Sequence, residues 1–196
     1  MRIAPTYALL AVNIAVYVYT SVVGGNPFVT DFRVLLLLGQ VNPLILQGWY
    51  WQLVTAMFVH INIVHIASNM LFLFIFGLRA EELFKPREFY LIYFASGLAG
   101  NLLTLLAGPY TFMVSAGASG AIFGLFGANT IYLRKILQKP VTDALVYAFI
   151  FLMLNVSARV NIIAHFGGLM AGLATGYFLA ASSKIIRQKH KVIVIR

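Results

Sequence analysis

Hydrophobic positions fall in long unbroken runs separated by short polar breaks, the pattern of helices that cross a bilayer. The runs predict six spans, at about residues 7–23, 62–80, 88–107, 119–134, 141–158 and 162–181. The first follows Met1-Arg2 without an obvious small-residue cleavage site, so it reads as an uncleaved helix. Residues 24–61 are broken by Gly24-Gly25-Asn26-Pro27, Gly39-Gln40, Asn42-Pro43 and Gly48, and their apolar pieces are too short to cross. They predict a long loop with interfacial segments, and Trp49, Tyr50 and Trp51 mark an aromatic belt near its end.

One run is short. From Ser119 to Leu133 the apolar stretch has helical compatibility over about 22 Å, against about 30 Å of hydrocarbon. With Arg134-Lys135 at one surface, the helix starts below the other, and irregular backbone at that depth needs a covering of protein or a wet cavity. The segment from Gly108 to Ala118 therefore predicts a water-filled recess with Ser119 at its edge.

Composition agrees. Of 196 residues 61% are hydrophobic and 10% charged, with a mean hydropathy of +0.90, so no soluble domain remains and residues 1–196 read as one all-α polytopic membrane domain. The net charge of +9 does not imply nucleic acid here, because the basic residues sit between spans. Of 14 Lys and Arg residues, only Arg33 and Arg159 fall on one side; the others, including the basic tail 184–196, share the opposite side. The positive-inside rule then puts both termini in the cytoplasm. Without cysteine the chain has no disulfide and no thiolate nucleophile.

That topology sets the polar residues of the even-numbered spans at one depth. Ser119 opens the fourth, His165 lies near the start of the sixth, and His65 and Asn69 share a face of the second by i,i+4 spacing, with His60 just before it. Gly168, Gly172 and Gly176 repeat every four residues on the His165 face, and Gly120, Gly124 and Gly127 answer on the fourth helix. If those faces abut, His165 meets Ser119, with Phe123 one turn on and able to pack against the imidazole. Histidine is a suitable base for a serine hydroxyl near neutral pH, and Asn69, His65 and the Ser119 N–H are candidate donors to an oxyanion. Glu81, Glu82, Glu88 and Asp143 are placed at the cytoplasmic side and only Asp31 in the outer loop, which predicts a dyad and not a triad. Taken singly, a Gly-x-Ser-Gly in a membrane helix is more often packing, and an intramembrane histidine is often a structural hydrogen-bonding group. Asn101, Asn129 and Asn155 read as interhelical polar contacts.

The conjunction resembles the rhomboid family of intramembrane serine proteases over nearly the whole chain. Gly117-Ala118-Ser119-Gly120 is similar to its Gly-x-Ser-Gly motif, and Ala164-His165-Phe166-Gly167-Gly168-Leu169-Met170-Ala171-Gly172 to its Ala-His-x-x-Gly-x-x-x-Gly helix. His60 to Asn69 resembles its His-x4-His-x3-Asn segment, and Gly77 to Glu81 its structural Gly-x-x-x-Glu element. Trp51-Gln52 departs from the Trp-Arg of many members, which bears on how the first loop is anchored.

The resemblance implies a six-helix rhomboid-like bundle in the cell membrane with a site opening to the extracytoplasmic side. It implies Ser119 as nucleophile, His165 as base and acid, and His65 and Asn69 as oxyanion donors, with no metal or organic cofactor. The expected partners are the lipid bilayer and a transmembrane protein cut in or beside its span, with the fifth helix and the Gly108 to Ala118 loop as gates. An inactive relative that binds transmembrane clients is the alternative; a proton-conducting channel would call for polar groups deeper in the spans.

Overall fold

The apolar runs become helices with identifiable starts and stops. In the computed structural model, residues 4–138, 160–188 and 191–195 are described, together with positions 140, 142 and 146. Helix α1 (Pro5–Gly24) begins at a proline, whose fixed φ suits a first helical position, and stops at Gly25, which has φ +69°. The next spans are α5 (Ile63–Leu83), capped by the Asn62 side chain, and α6 (Pro86–Ala107), which starts at Pro86 with Glu88 bonding back to the Lys85 N–H. Helix α7 (Ser119–Ile136) and helix α8 (Ile162–Ser182), capped by Asn161, complete the long helices among the described residues.

Four of these, α1, α5, α6 and α8, are long and apolar enough to cross a membrane. Helix α7 has 18 residues and carries Arg134 and Lys135 in its last turn. The fifth expected span, 141–158, lies outside the described residues, and so do Asp143 and Asn155. The bundle centres on α7, which packs against α5, α6 and α8, while α1 lies against α5. Outward faces are apolar: Val22, Val64 and Leu106 are each more than 70% exposed, as lipid-facing side chains are.

The all-α expectation needs two additions. Between α1 and α5 the chain forms α2 (Phe32–Leu38), strand β1 (Gln40–Val41), α3 (Asn42–Leu46) and α4 (Gln52–Thr55). Strand β1 pairs antiparallel with β2 (Val114–Ser115), which ties this first loop to the segment before Ser119. After α8, β3 (Lys184–Gln188) and β4 (Lys191–Ile195) form an antiparallel hairpin with Lys184 opposite Ile195. The β-branched run Val192-Ile193-Val194-Ile195 suits a strand.

Buried polar side chains fasten the loop to α6, because backbone groups in an apolar setting must find partners. Gln40 Nε2 donates to Asn42 Oδ1 at 2.8 Å and to the Asn101 carbonyl at 2.9 Å. Asn42 Nδ2 reaches the carbonyls of Thr104 and Gly108, and Asn101 Nδ2 donates to the Leu53 carbonyl at 2.9 Å. Asn129 Nδ2 bridges α7 to the Phe76 carbonyl of α5, whereas Asn101 reaches into the loop.

Gln52 is fully buried: its Oε1 accepts the Val41 N–H at 2.9 Å, and its Nε2 donates to the Leu36 carbonyl at 2.7 Å. The glutamine that departs from the Trp-Arg pattern thus pins β1 and α2 with two hydrogen bonds.

Candidate active site

Ser119 owes its position to the loop before it. Gly117 holds φ +124°, a region L side chains rarely adopt, and donates its N–H to the Ala56 carbonyl at 2.8 Å. The chain turns there so that Ser119 becomes the first residue of α7. No side chain caps this helix, and the first N–H groups of a helix have no partner within it. Those of Ser119, Gly120 and Ala121 stand beside a recess of about 200 Å³ that these three residues help to line. The partial positive charge of a helix start favours negative charge at that place.

His165 comes to Ser119 because glycines let α7 and α8 touch. A Cβ at Gly168 would collide with the Gly120 carbonyl, and one at Gly172 with the Gly124 carbonyl. At Gly176 it would lie 2.6 Å from Ala128 Cα. Across this contact Ser119 Oγ and His165 Nε2 are hydrogen-bonded at 2.8 Å. The Phe123 ring stacks on the imidazole, with centroids 4.4 Å apart and planes at 24°. His165 is 6% exposed, and among the described residues its buried Nδ1 has no hydrogen-bond partner.

His65 and Asn69 line the same recess from α5. The His65 ring lies under Gly117, where a Cβ would come within 2.8 Å of Nε2. Asn69 is 5% exposed; its Nδ2 donates to the His65 carbonyl at 2.9 Å, which uses one of the two N–H bonds of the amide and leaves the other for the recess. His60 does not line the recess but sits edge-on to His65, with ring centroids 5.2 Å apart, and its Nδ1 is 3.2 Å from the Phe58 carbonyl. Burial, and secondarily the neighbouring His65, holds His60 well below the ordinary imidazole range, so it stays neutral beside the site.

Asn161 and Ser115 are among the lining residues that escaped the sequence reading. Both face the recess and are hydrogen-bonded to each other at 2.9 Å. The signal for Asn161 was an Asn directly before an apolar run, a helix N-cap pattern. Nothing in the sequence near Ser115 announced its partner, 46 residues away.

Apolar helices of spanning length around a recess with a bonded serine–histidine pair define a multi-pass membrane protein with a built polar site. A model of the rhomboid domain matches residues 47–182, and the chain belongs to the rhomboid family. It is 34% identical over 184 residues to Rhomboid protease GluP of Bacillus subtilis (strain 168), covering 90% of this chain and 34% of that protein. It is 35% identical over 148 residues to RHOMBOID-like protein 5 of Arabidopsis thaliana, covering 69% of this chain and 46% of that protein. With Rhomboid-like protease 3 of Toxoplasma gondii it shares 30% over 171 residues, 83% of this chain and 64% of that one. The chain thus spans between about a third and two-thirds of the length of these relatives.

Proposed function

We propose that this chain is an intramembrane serine endopeptidase that hydrolyses a peptide bond in or beside a transmembrane segment of another membrane protein. The observation that carries the reading is the 2.8 Å bond between Ser119 Oγ and His165 Nε2 inside a recess that adjoins the unpaired start of α7. With Nε2 as acceptor, neutral His165 takes the hydroxyl proton as Oγ bonds to the scissile carbonyl carbon. The carbonyl oxygen becomes an oxyanion beside the Ser119 N–H, the free N–H of Asn69 and the His65 ring. His165 then gives the proton to the departing amine as the carbon–nitrogen bond breaks. A water attacks the acyl-enzyme with His165 again as base, and His165 returns that proton to Oγ as the ester bond breaks, which releases the carboxylic acid and restores Ser119. The Phe123 ring, stacked on the imidazole, keeps it in the plane this shuttle needs.

A substrate helix has its amides bonded internally, so it must unwind locally before its carbonyl reaches Ser119. The basic residues of the segments between spans favour cytoplasmic termini and a recess that opens to the extracytoplasmic side.

The test is labelling of the detergent-purified protein with a serine-directed fluorophosphonate. Wild type is expected to label, and Ser119→Ala and His165→Ala to fold without labelling. A folded wild type that does not label, in detergent and in bilayers, would favour a client-binding relative instead.

A further inference from the structure

Asn161 holds the turn that carries His165 at both of its own ends. Its Oδ1 accepts the Ala164 N–H at 3.0 Å, and its backbone carbonyl accepts the His165 N–H at 3.2 Å. An N-cap needs no more than that, and a serine would serve. The amide nitrogen does something further: its two N–H groups go to Ser115 Oγ at 2.9 Å and to Thr104 Oγ1 at 3.0 Å.

Both partners are themselves fixed. Ser115 lies in β2, paired with Gln40, and Ser119 follows on the same segment. The Thr104 hydroxyl donates to the Gly100 carbonyl at 2.9 Å, and the Thr104 carbonyl accepts from Asn42 at 3.0 Å. Asn161 therefore joins the helix of the base to the segment of the nucleophile and to α6, which carries the first loop. The glycine contact between α7 and α8 sets how closely the two backbones approach, and the side chains of Leu169 and Ile131 pack into it at Gly127 and Gly176 by apolar contact alone. A polar clamp at the end of α8 adds directional hydrogen bonds next to the catalytic pair, which apolar packing does not provide.

We propose that Asn161 is a positioning residue: by bonding Ser115 and Thr104 it sets the depth and rotation of the first turn of α8, and so the distance of His165 Nε2 from Ser119 Oγ. This rests on the reading of Ser119 and His165 as a dyad.

The experiment compares fluorophosphonate labelling of the full chain in wild type, Asn161→Ser, Ser115→Ala and the double variant, with Ser119→Ala as the blank. Serine keeps the cap acceptor but is too short to reach Ser115 or Thr104. Asn161→Ser is expected to label about ten- to a hundredfold more slowly at saturating probe. Probe affinity should stay close to wild type, and the thermal midpoint should fall only by the loss of these two hydrogen bonds, leaving the chain folded at the labelling temperature. Ser115→Ala should also slow labelling, and the double variant should be no slower than Asn161→Ser, because the shared bond is already gone.

Wild-type labelling rates in Asn161→Ser, or losses that multiply in the double variant, would overturn the proposal. If Asn161→Ser fails to fold, Ser115→Ala decides, since it leaves the cap and the Thr104 bond intact: slower labelling supports the clamp, and an unchanged rate overturns it. A wild type that does not label removes the dyad reading, and this inference with it.

Discussion

Gly168 of α8 lies directly on the carbonyl of Gly120, the residue after Ser119, so that no side-chain atom fits between the two backbones at that point. Gly168→Ala should force the two backbones apart at that level, at a cost of about 1–3 kcal/mol for an overpacked contact. The separation should also lengthen the Ser119–His165 bond and slow labelling by about tenfold or more. Gly176→Ala is the comparison: its Cβ would meet Ala128 Cα at 2.6 Å, about two turns further along the same seam. Both variants should lose thermal stability, and the labelling rate should separate them, with Gly168→Ala the slower. Equal rates would mean that the seam does not transmit its spacing to the pair.

Gly117→Ala should act by a different route. At φ +124° a side chain is strained, by about 1–3 kcal/mol, and this Cβ would press within 2.8 Å of the His65 ring. Displacing His65 and tilting the Ser119 N–H would disturb two candidate oxyanion donors together. Loss of one such donor typically costs about a hundred- to a thousandfold in rate. Steady-state cleavage of a transmembrane substrate should fall by at least that much while fluorophosphonate labelling also slows. A variant with wild-type cleavage would argue against an oxyanion site under Gly117.

The parts of the fold that could be read in the sequence are those with a period. Hydropathy runs located α1, α5, α6, α7 and α8 to within a few residues, and the four-residue glycine repeat from Gly168 to Gly176 pointed to α7 because small residues permit close approach and little else. The first loop had no period to read. Gln40 and Asn42 find their α6 partners more than 60 residues away, and the β1–β2 ladder is two residues long, too short for any alternation to show. Asn101 looked like a contact between spanning helices, but its amide serves the carbonyl of Leu53 in the loop. A buried amide can bond any orphan carbonyl within reach, and sequence does not say which carbonyl is orphaned.

Gln52 offers a direct measure of what holds that loop. Gln52→Met has nearly the same shape and removes both hydrogen bonds without opening a cavity, leaving the Val41 N–H and the Leu36 carbonyl without that partner. Each buried backbone group so orphaned costs about 1–3 kcal/mol. The thermal midpoint should fall clearly. Hydrogen exchange should quicken at Val41, whose amide then loses its protection, and slower effects should reach Val114 and Ser115 through the β1–β2 pairing. Unchanged exchange at Val41 would show that the strand pairing alone holds the loop.

Glu81 and Arg79 are close neighbours on α5, and the structure gives them different tasks. Glu81 Oε1 accepts the Thr6 N–H at 2.6 Å, so a carboxylate on α5 satisfies an amide at the positive start of α1. Gly77, one turn earlier, makes room for it, since a Cβ there would sit 2.6 Å from Thr6 Oγ1. Arg79 instead pairs with Glu82 on an exposed face, the kind of ion pair worth between about 0 and 1 kcal/mol. Glu81→Ala should therefore loosen α1 from α5, with a loss of about 1–2 kcal/mol for the amide it abandons. Glu81→Gln, which keeps an acceptor but not the charge, should lose less, about 0.3–1 kcal/mol. Arg79→Ala should leave the midpoint nearly unchanged. Because no α1 residue lines the recess, all three variants should label at close to the wild-type rate per folded molecule. Limited proteolysis in the Gly25–Asn26 turn is the sensitive readout: cleavage should be faster in Glu81→Ala than in Glu81→Gln, and at the wild-type level in Arg79→Ala. The reverse order, with Arg79→Ala the more labile, would place the docking of α1 on surface charge and not on the buried start of the helix.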